Sequence, residues 1–218
     1  MPTKIGLIFA TRNAIQPALD AFAQFAPDVE TQLFVDEGLL PAVKQSGGVT
    51  APILRRFASL LARAEESGVD GILFSCSVFS PSLAVLEPLY AVPLMSVDSA
   101  MIEEAAAKGG SIGVIATLEQ ARQLTVDQLA EQASRMGTDL AIHSAAVPDA
   151  FACLPADPAK HDAIVLAAAE KMAPQCDSFM LAQISMARAA PLVAKLGKPV
   201  LTSMESSVNA IMSKLQGA

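Results

Sequence analysis

Eight short apolar runs recur along the chain, each long enough for one β-strand, and they alternate with longer amphipathic stretches. The runs are KIGLIFA from Lys4, TQLFV from Thr31, GILFSC from Gly71, PLMSV from Pro93, SIGVIAT from Ser111, LAIHSAAV from Leu140, SFMLAQ from Ser178 and PVLTS from Pro199. Nearly all are apolar at successive positions rather than alternate ones, the pattern of strands covered on both faces. Between them, Ile53, Leu54, Phe57, Leu60, Leu61 and Ala64 return at helical spacing behind Thr50 and Pro52, a capping residue and a first-turn proline. The same spacing predicts helices over about 119–136, 160–172, 186–196 and 206–215. Strands alternating with helices imply an α/β fold of parallel sheets layered by helices.

One half of the chain also resembles the other. IGLIFAT from Ile5 matches IGVIAT from Ile112, and the segment from Gly68 to Ala100 runs parallel to the one from Pro174 to Ser207. Gly6 to Cys76 and Gly113 to Gln183 are both 70 residues, and Asp70 and Asp177 each stand six residues before those positions. A repeat of this length predicts two similar lobes related by a pseudo-twofold axis, residues 1–97 with 204–218 and residues 98–203. Cys76 and Gln183 then leave equivalent strand ends.

Composition narrows the chemistry. The 218 residues are 52% hydrophobic and 17% charged, with a formal net charge of -7 and 15 Lys and Arg in no cluster, so phosphate backbones find no basic surface and nucleic acid is excluded as a partner. No apolar run reaches the roughly 18 to 20 residues of a membrane span, and the opening MPTKIGLIFATRN is too short in its apolar core for a secretory signal, so the expected location is cytoplasmic. The three cysteines, Cys76, Cys153 and Cys176, have no CxxC spacing and the two His are isolated, so neither a disulfide framework nor a metal site is expected. Neither IGLIFATRN nor IGVIATLEQ carries the GxGxxG turn of a dinucleotide site, and no cofactor is expected. The high apolar content points to a homodimer.

In open parallel sheets, ligands bind beyond the carboxyl ends of the strands. Cys76 ends GILFSC and precedes SVFSPS, where Ser80 to Ser82 read as a helix start. Backbone N–H groups and a helix N-terminus there would lower the thiol pKa from about 8.5 toward roughly 3.5 to 7.5 and supply a base or a nucleophile. The other reading of Cys76 is a buried structural thiol.

The ordered set IGLIFAT, GVDGILFSCS ending at Cys76, IGVIAT and GKPVLTSMESS resembles the aspartate/glutamate/hydantoin racemase superfamily, which includes arylmalonate decarboxylase and maleate cis-trans isomerase. The resemblance spans about residues 4–212. It implies two flavodoxin-like lobes with the active site between them, a small carboxylate or amino acid as substrate, and a cofactor-independent racemase-like isomerase. Racemases of that group flank the α-carbon with two cysteines. Cys76 matches the first; at the second, this chain reads Gln183 and Ile184. A carboxamide neither gains nor gives up a proton at neutral pH, so Gln183 is left to hydrogen bonding. Cys176 lies at the opposite end of the same strand, about 23 Å away at 3.3 Å per residue. Cys153 falls in a predicted loop before a helix and is a weaker candidate for a second thiol.

The same resemblance places Thr11, Arg12 and Thr117 on carboxylate-binding loops, with Arg12 able to form a bidentate pair. Ser77 and Ser185 are expected to donate to the ligand, and Asp98 and Glu205 to cap helices. Phe79, Phe151 and Leu154 are either substrate-reading or core residues. Besides isomerisation, one-thiol decarboxylation, cis-trans isomerisation through a thiol adduct, and carboxylate binding without turnover fit these residues.

Overall fold

The computed structural model describes residues 2–217. The chain divides into two compact units, one holding the residues up to Ala100 with those from Ser207 onward, the other Met101–Ser206. In the first unit, strands β1 (Lys4–Phe9), β2 (Glu30–Val35), β3 (Gly71–Phe74) and β4 (Leu94–Ser96) form one parallel sheet in the order β2-β1-β3-β4. Helices α1 (Ile15–Phe25), α2 (Leu39–Ser46), α3 (Ala51–Glu66) and α4 (Leu83–Leu86) lie between the strands in sequence. Helix α5 (Val97–Lys108) comes after β4 and contains the division between units.

In the second unit, β5 (Gly110–Ala116), β6 (Leu140–Ala146), β7 (Ser178–Leu181) and β8 (Val200–Thr202) pair in parallel in the order β6-β5-β7-β8. Helices α6 (Glu119–Met136), α7 (Pro148–Cys153), α8 (Pro158–Met172) and α9 (Ala190–Val193) connect them, and α10 (Ser203–Gln216) closes the chain. The two sheets have the same strand order, as the sequence repeat predicts.

The repeat holds down to single hydrogen bonds. Lys4 N–H donates to Asp70 Oδ2 at 2.7 Å while Asp70 N–H donates to the Lys4 carbonyl at 2.7 Å; Ser111 and Asp177 make the same exchange at 2.9 and 2.8 Å. The paired glycines answer to close approach. A Cβ on Gly6 would stand 3.3 Å from Ala64 Cβ, and one on Gly113 would stand 2.8 Å from Phe179 Cδ1, inside contact distance.

Central strands are buried on both faces. Ile112, Val114 and Ala116 of β5 join one apolar cluster with Met101 and Leu129, while Ile115 joins the opposite one with Phe179 and Val165. The edge strands depart from the expected burial: Leu33 and Val35 of β2 are each 40% exposed, and β6 is half-buried along most of its length. Each has a sheet neighbour on one side alone, so an all-apolar run is compatible with an edge as well as a centre.

The continuous helix expected over 186–196 is instead three short pieces: a 3-10 helix over Ile184–Ala189, then α9, then a 3-10 helix over Ala194–Leu196. The first unit has the same succession, Ser77–Ser82, α4 and Glu87–Leu89, at a constant shift of 107 positions (77 to 184, 83 to 190, 87 to 194). Pro81, Pro88 and Pro191 interrupt these stretches, and a proline removes the N–H that a continuous α-helix needs.

Candidate functional site

Each unit places one candidate side chain just past the carboxyl end of a central strand. In the first, Ser75 N–H donates to the Ile8 carbonyl at 3.0 Å and ends the pairing of β3 with β1. Cys76 comes next with extended backbone and starts the 3-10 turn, its carbonyl accepting from Phe79 N–H at 3.0 Å. Phe79 pins this turn: it is fully buried and stacks on Phe57 with ring centroids 4.1 Å apart and planes within 8°. That burial is worth roughly 1.5 to 3 kcal/mol and makes Phe79 a core residue.

Cys76 is a free, half-buried thiol. Burial pushes its pKa up to about 11; the Val78 N–H directed at the sulfur opposes the rise, and the charge of Asp98 adds to it. The expectation of a depressed pKa is therefore reversed. The physical reason is local: Cys76 leads into a 3-10 turn and then a four-residue helix, so one N–H reaches the sulfur instead of the aligned amides of a long α-helix. At neutral pH the group is a thiol.

Asp98 lies past the end of the neighbouring strand. Phe74 of β3 pairs with Ser96 of β4, the last residue of each strand; Cys76 follows β3, and Asp98 follows β4 in the first turn of α5. Asp98 is 6% exposed and sits in the first turn of α5, where its own N–H donates to Ser96 Oγ at 3.3 Å. Its Oδ2 is buried without a hydrogen-bond partner. Burial lifts this carboxyl to about 6, with Ser77 working against the rise. An acid in a first turn reads in sequence as an ordinary helix cap; the burial of Asp98 carries no local sequence signal. Glu205, its counterpart in expectation, lies in the first turn of α10 and is exposed.

Thr11 begins a 3-10 turn over Arg12–Ala14. The Arg12 side chain is 78% exposed and paired with Glu37, its Nε donating to Oε2 at 2.7 Å. Its guanidinium is thus already engaged by a carboxylate of the chain itself.

In the second unit, Gln183 occupies the position matching Cys76 and starts the turn Ile184–Ala189, its carbonyl accepting from Met186 N–H at 2.9 Å. Its side-chain Oε1 accepts from both Thr117 N–H at 2.6 Å and Thr117 Oγ1–H at 2.7 Å. Thr117 is 1% exposed. Because a backbone N–H can only donate, the amide orientation is fixed with oxygen toward Thr117, and the NH₂ group is the other end of the amide. Ser185 is half-buried on the same turn. Farther along that turn, Arg188 forks onto Asp162 at 2.8 and 3.1 Å, and Asp162 also meets the buried His161 Nδ1 at 2.8 Å. Burial works to raise the Asp162 carboxyl, but hydrogen bonds and charge from Arg188 and His161 hold it below the usual range.

The other two cysteines lie on different elements from Gln183. Cys176 is buried just before β7, at the end away from Gln183. Cys153 is the last residue of α7 rather than part of a loop, because Pro148 starts a helical turn there. Its thiol donates back to the Ala150 carbonyl of the same helix at 3.5 Å. Phe151 is 54% exposed and Leu154 half-buried. Among the described residues, no three His, Cys, Asp or Glu side chains gather as a metal site requires, and no helix is long and apolar enough to cross a membrane.

Comparison with known proteins places this architecture. Allantoin racemase from Klebsiella pneumoniae superposes with a TM-score of 0.74 at 18% identity, covering 98% of this chain and 88% of the other. Picrophilus torridus aspartate racemase gives 0.72 at 14%, covering 98% and 94%. Glutamate racemase from Thermus thermophilus, in complex with β-chloro-D-alanine, gives 0.70 at 22%, covering 99% and 81%. At these identities the likeness is one of fold. No curated protein sequence compared with the chain matches it. A family model described as Asp/Glu/Hydantoin racemase matches residues 19–211, most of the chain's length, and by that match the chain belongs to the Asp/Glu/hydantoin racemase family.

Proposed function

We propose that the chain catalyses one-sided proton transfer at the α-carbon of a small carboxylate or amino acid, on the framework of a racemase-like isomerase but without inversion, with one proton-carrying thiol, Cys76. The observation that carries this reading is the paired chemistry of the two equivalent strand ends: a thiol at one, and at the other an amide whose oxygen is held by Thr117. The minor thiolate form of Cys76 takes the α-proton, and the thiol so formed returns one from the same side. An amide held by its oxygen donates hydrogen bonds through its NH₂ end to a carboxylate or to the oxyanion of an enolate, the charge that develops when the α-carbon loses a substituent. The hydroxyls of Thr11, Ser77 and Ser185 are further donors on the same loops. Thr117 serves by orienting Gln183.

One observation favours a second, related reading. A resting thiol is the form of Cys76 that delivers a proton, so an activated malonate is a fitting substrate. Its C–C bond to the departing carboxylate breaks, CO₂ leaves, and the bonding pair remains as an enediolate. Cys76 S–H then gives its proton to the α-carbon, and the thiolate regains one from water.

Both readings are tested by Cys76→Ala. The variant should bind small carboxylates while losing about 10²- to 10⁴-fold in turnover, the usual contribution of one acid–base group. Binding with no turnover in either protein would identify a carboxylate-binding protein instead.

A further inference from the structure

The shift of 107 positions that relates the two turns also relates the helices behind them, since α3 begins at Ala51 and α8 at Pro158. Corresponding residues can be compared one by one, and the means of holding the turn differs. In the first unit Phe79 of the turn stacks on Phe57 of α3. Their counterparts in the second unit, Met186 and Ile164, are not aromatic; Met186 is fully buried and Ile164 packs against the same apolar cluster. An unbranched thioether adapts to its surroundings instead of fixing them.

What the second unit has in addition is ionic. Arg188, on the turn, donates from Nε and Nη2 to the two carboxylate oxygens of Asp162 on α8, at 2.8 and 3.1 Å. The Asp162 side chain is 18% exposed against 43% for Arg188, so the carboxylate end of this fork is shielded from solvent, where charged bidentate hydrogen bonds are strong. The carboxylate is also held from behind: Oδ1 accepts from His161 Nδ1 at 2.8 Å, since an ionised carboxylate can only accept. His161 is fully buried and its Nε2 has no partner among the described residues, so its ring depends on Asp162 for a hydrogen bond. The first unit has Leu54, Arg55 and Pro81 at the three matching positions and cannot form the fork.

We propose that Arg188, Asp162 and His161 together position Gln183: they lock the turn Ile184–Ala189 to the first turns of α8 and so set where the Gln183 amide stands for a bound carboxylate. Gln183 starts that turn, Met186 N–H closes it onto the Gln183 carbonyl at 2.9 Å, and Gln183 Oε1 reaches Thr117. A turn free to shift about the pliable Met186 would draw Oε1 away from Thr117, because hydrogen bonds of 2.6 and 2.7 Å tolerate little displacement. Asp162 and Arg188 act through Gln183 and are not themselves placed on the substrate.

This inference rests on reading Gln183 as the group that binds the carboxylate, but its test does not need turnover. Amide hydrogen exchange is followed by NMR in the full chain at three reporters: Thr117 N–H, Met186 N–H and Phe79 N–H, whose bond to the Cys76 carbonyl at 3.0 Å is the first-unit counterpart of the Met186 bond. Arg188→Met and Asp162→Asn should each speed exchange at Met186 and Thr117 by about 10- to 100-fold, the range expected for loss of a charged hydrogen bond, with Phe79 unchanged. The double variant should be no faster than either single one, since each breaks the same fork. Arg188→Lys, which keeps the charge but not the fork, should fall between wild type and Arg188→Met. Equal acceleration at Phe79 and Met186 would overturn the proposal, because it marks a general loss of stability. So would acceleration at Met186 with Thr117 unchanged, a turn that loosens without releasing Gln183, and so would unchanged exchange at all three. If Asp162→Asn fails to fold, Arg188→Met, at the more exposed end of the fork, decides alone. A chain without turnover on any carboxylate would lose the enzymatic reading and leave these exchange rates as they stand.

Discussion

Replacing Asp98 by Asn should make the protein more stable at pH 8 than wild type, by an amount that shrinks as the pH falls. Burial raises this carboxyl from 3.8 to about 6. The folded state therefore binds the proton more tightly than the unfolded state does, and stability is lost as pH rises from about 4 through 6. A gap of about two pKa units corresponds to about 3 kcal/mol at full ionisation. Roughly 1 kcal/mol of it is already present at pH 4.5, so the advantage of the Asn variant should grow by about 2 kcal/mol between pH 4.5 and pH 8. Asn has nearly the same volume and no charge, so the pH-dependent part isolates the charge. Urea unfolding at both pH values measures it, with a shift in midpoint difference on the order of 1 M for a slope near 2 kcal/mol per M. An Asn-minus-wild-type difference that is identical at the two pH values would refute the reasoning, because a pure packing effect does not titrate.

Other consequences concern the second unit. Thr117→Val keeps the backbone donor but removes the hydroxyl from Gln183 Oε1; it should cost about 1 kcal/mol in denaturant unfolding and lower turnover more than it weakens binding, since it loosens an orienting contact. Gln183→Cys puts a thiol at the position matching Cys76 and should add inversion of the α-carbon, measured by chiral chromatography, where the wild-type chain gives none. It should also lose about 1 to 3 kcal/mol because the buried Thr117 donors lose their acceptor.

How far these features can be read from residues alone depends on the range of the interactions. The strand–helix alternation and the 70-residue spacing of Gly6–Cys76 and Gly113–Gln183 are legible, because burial of central strands writes itself into runs such as SIGVIAT and because two copies of one folding unit share their spacings. The position of Cys76 past β3 comes from the same pattern. Its protonation does not: the expected helix N-terminus at Ser80 is a 3-10 turn, and the burial that raises the thiol comes from an apolar cluster gathered from several elements of the first unit, Phe57 and Leu94 among its members. Arg12 is another case, since only the fold brings Glu37 within 2.7 Å of its side chain. Gln183 is legible as a residue unable to carry a proton, but the clamp on its oxygen needs Thr117, 66 positions earlier, and a strand register that no local pattern encodes.

Proton NMR in D₂O, with the protein and a panel of small amino acids and dicarboxylates, tests the one-thiol reading most directly. Wild type should exchange the α-proton of its substrate for deuterium, or release CO₂ from a malonate with deuterium delivered to one face, with the configuration retained and the reaction abolished by Cys76→Ala. Inversion of configuration by the wild-type chain, or exchange that survives in Cys76→Ala, would contradict it.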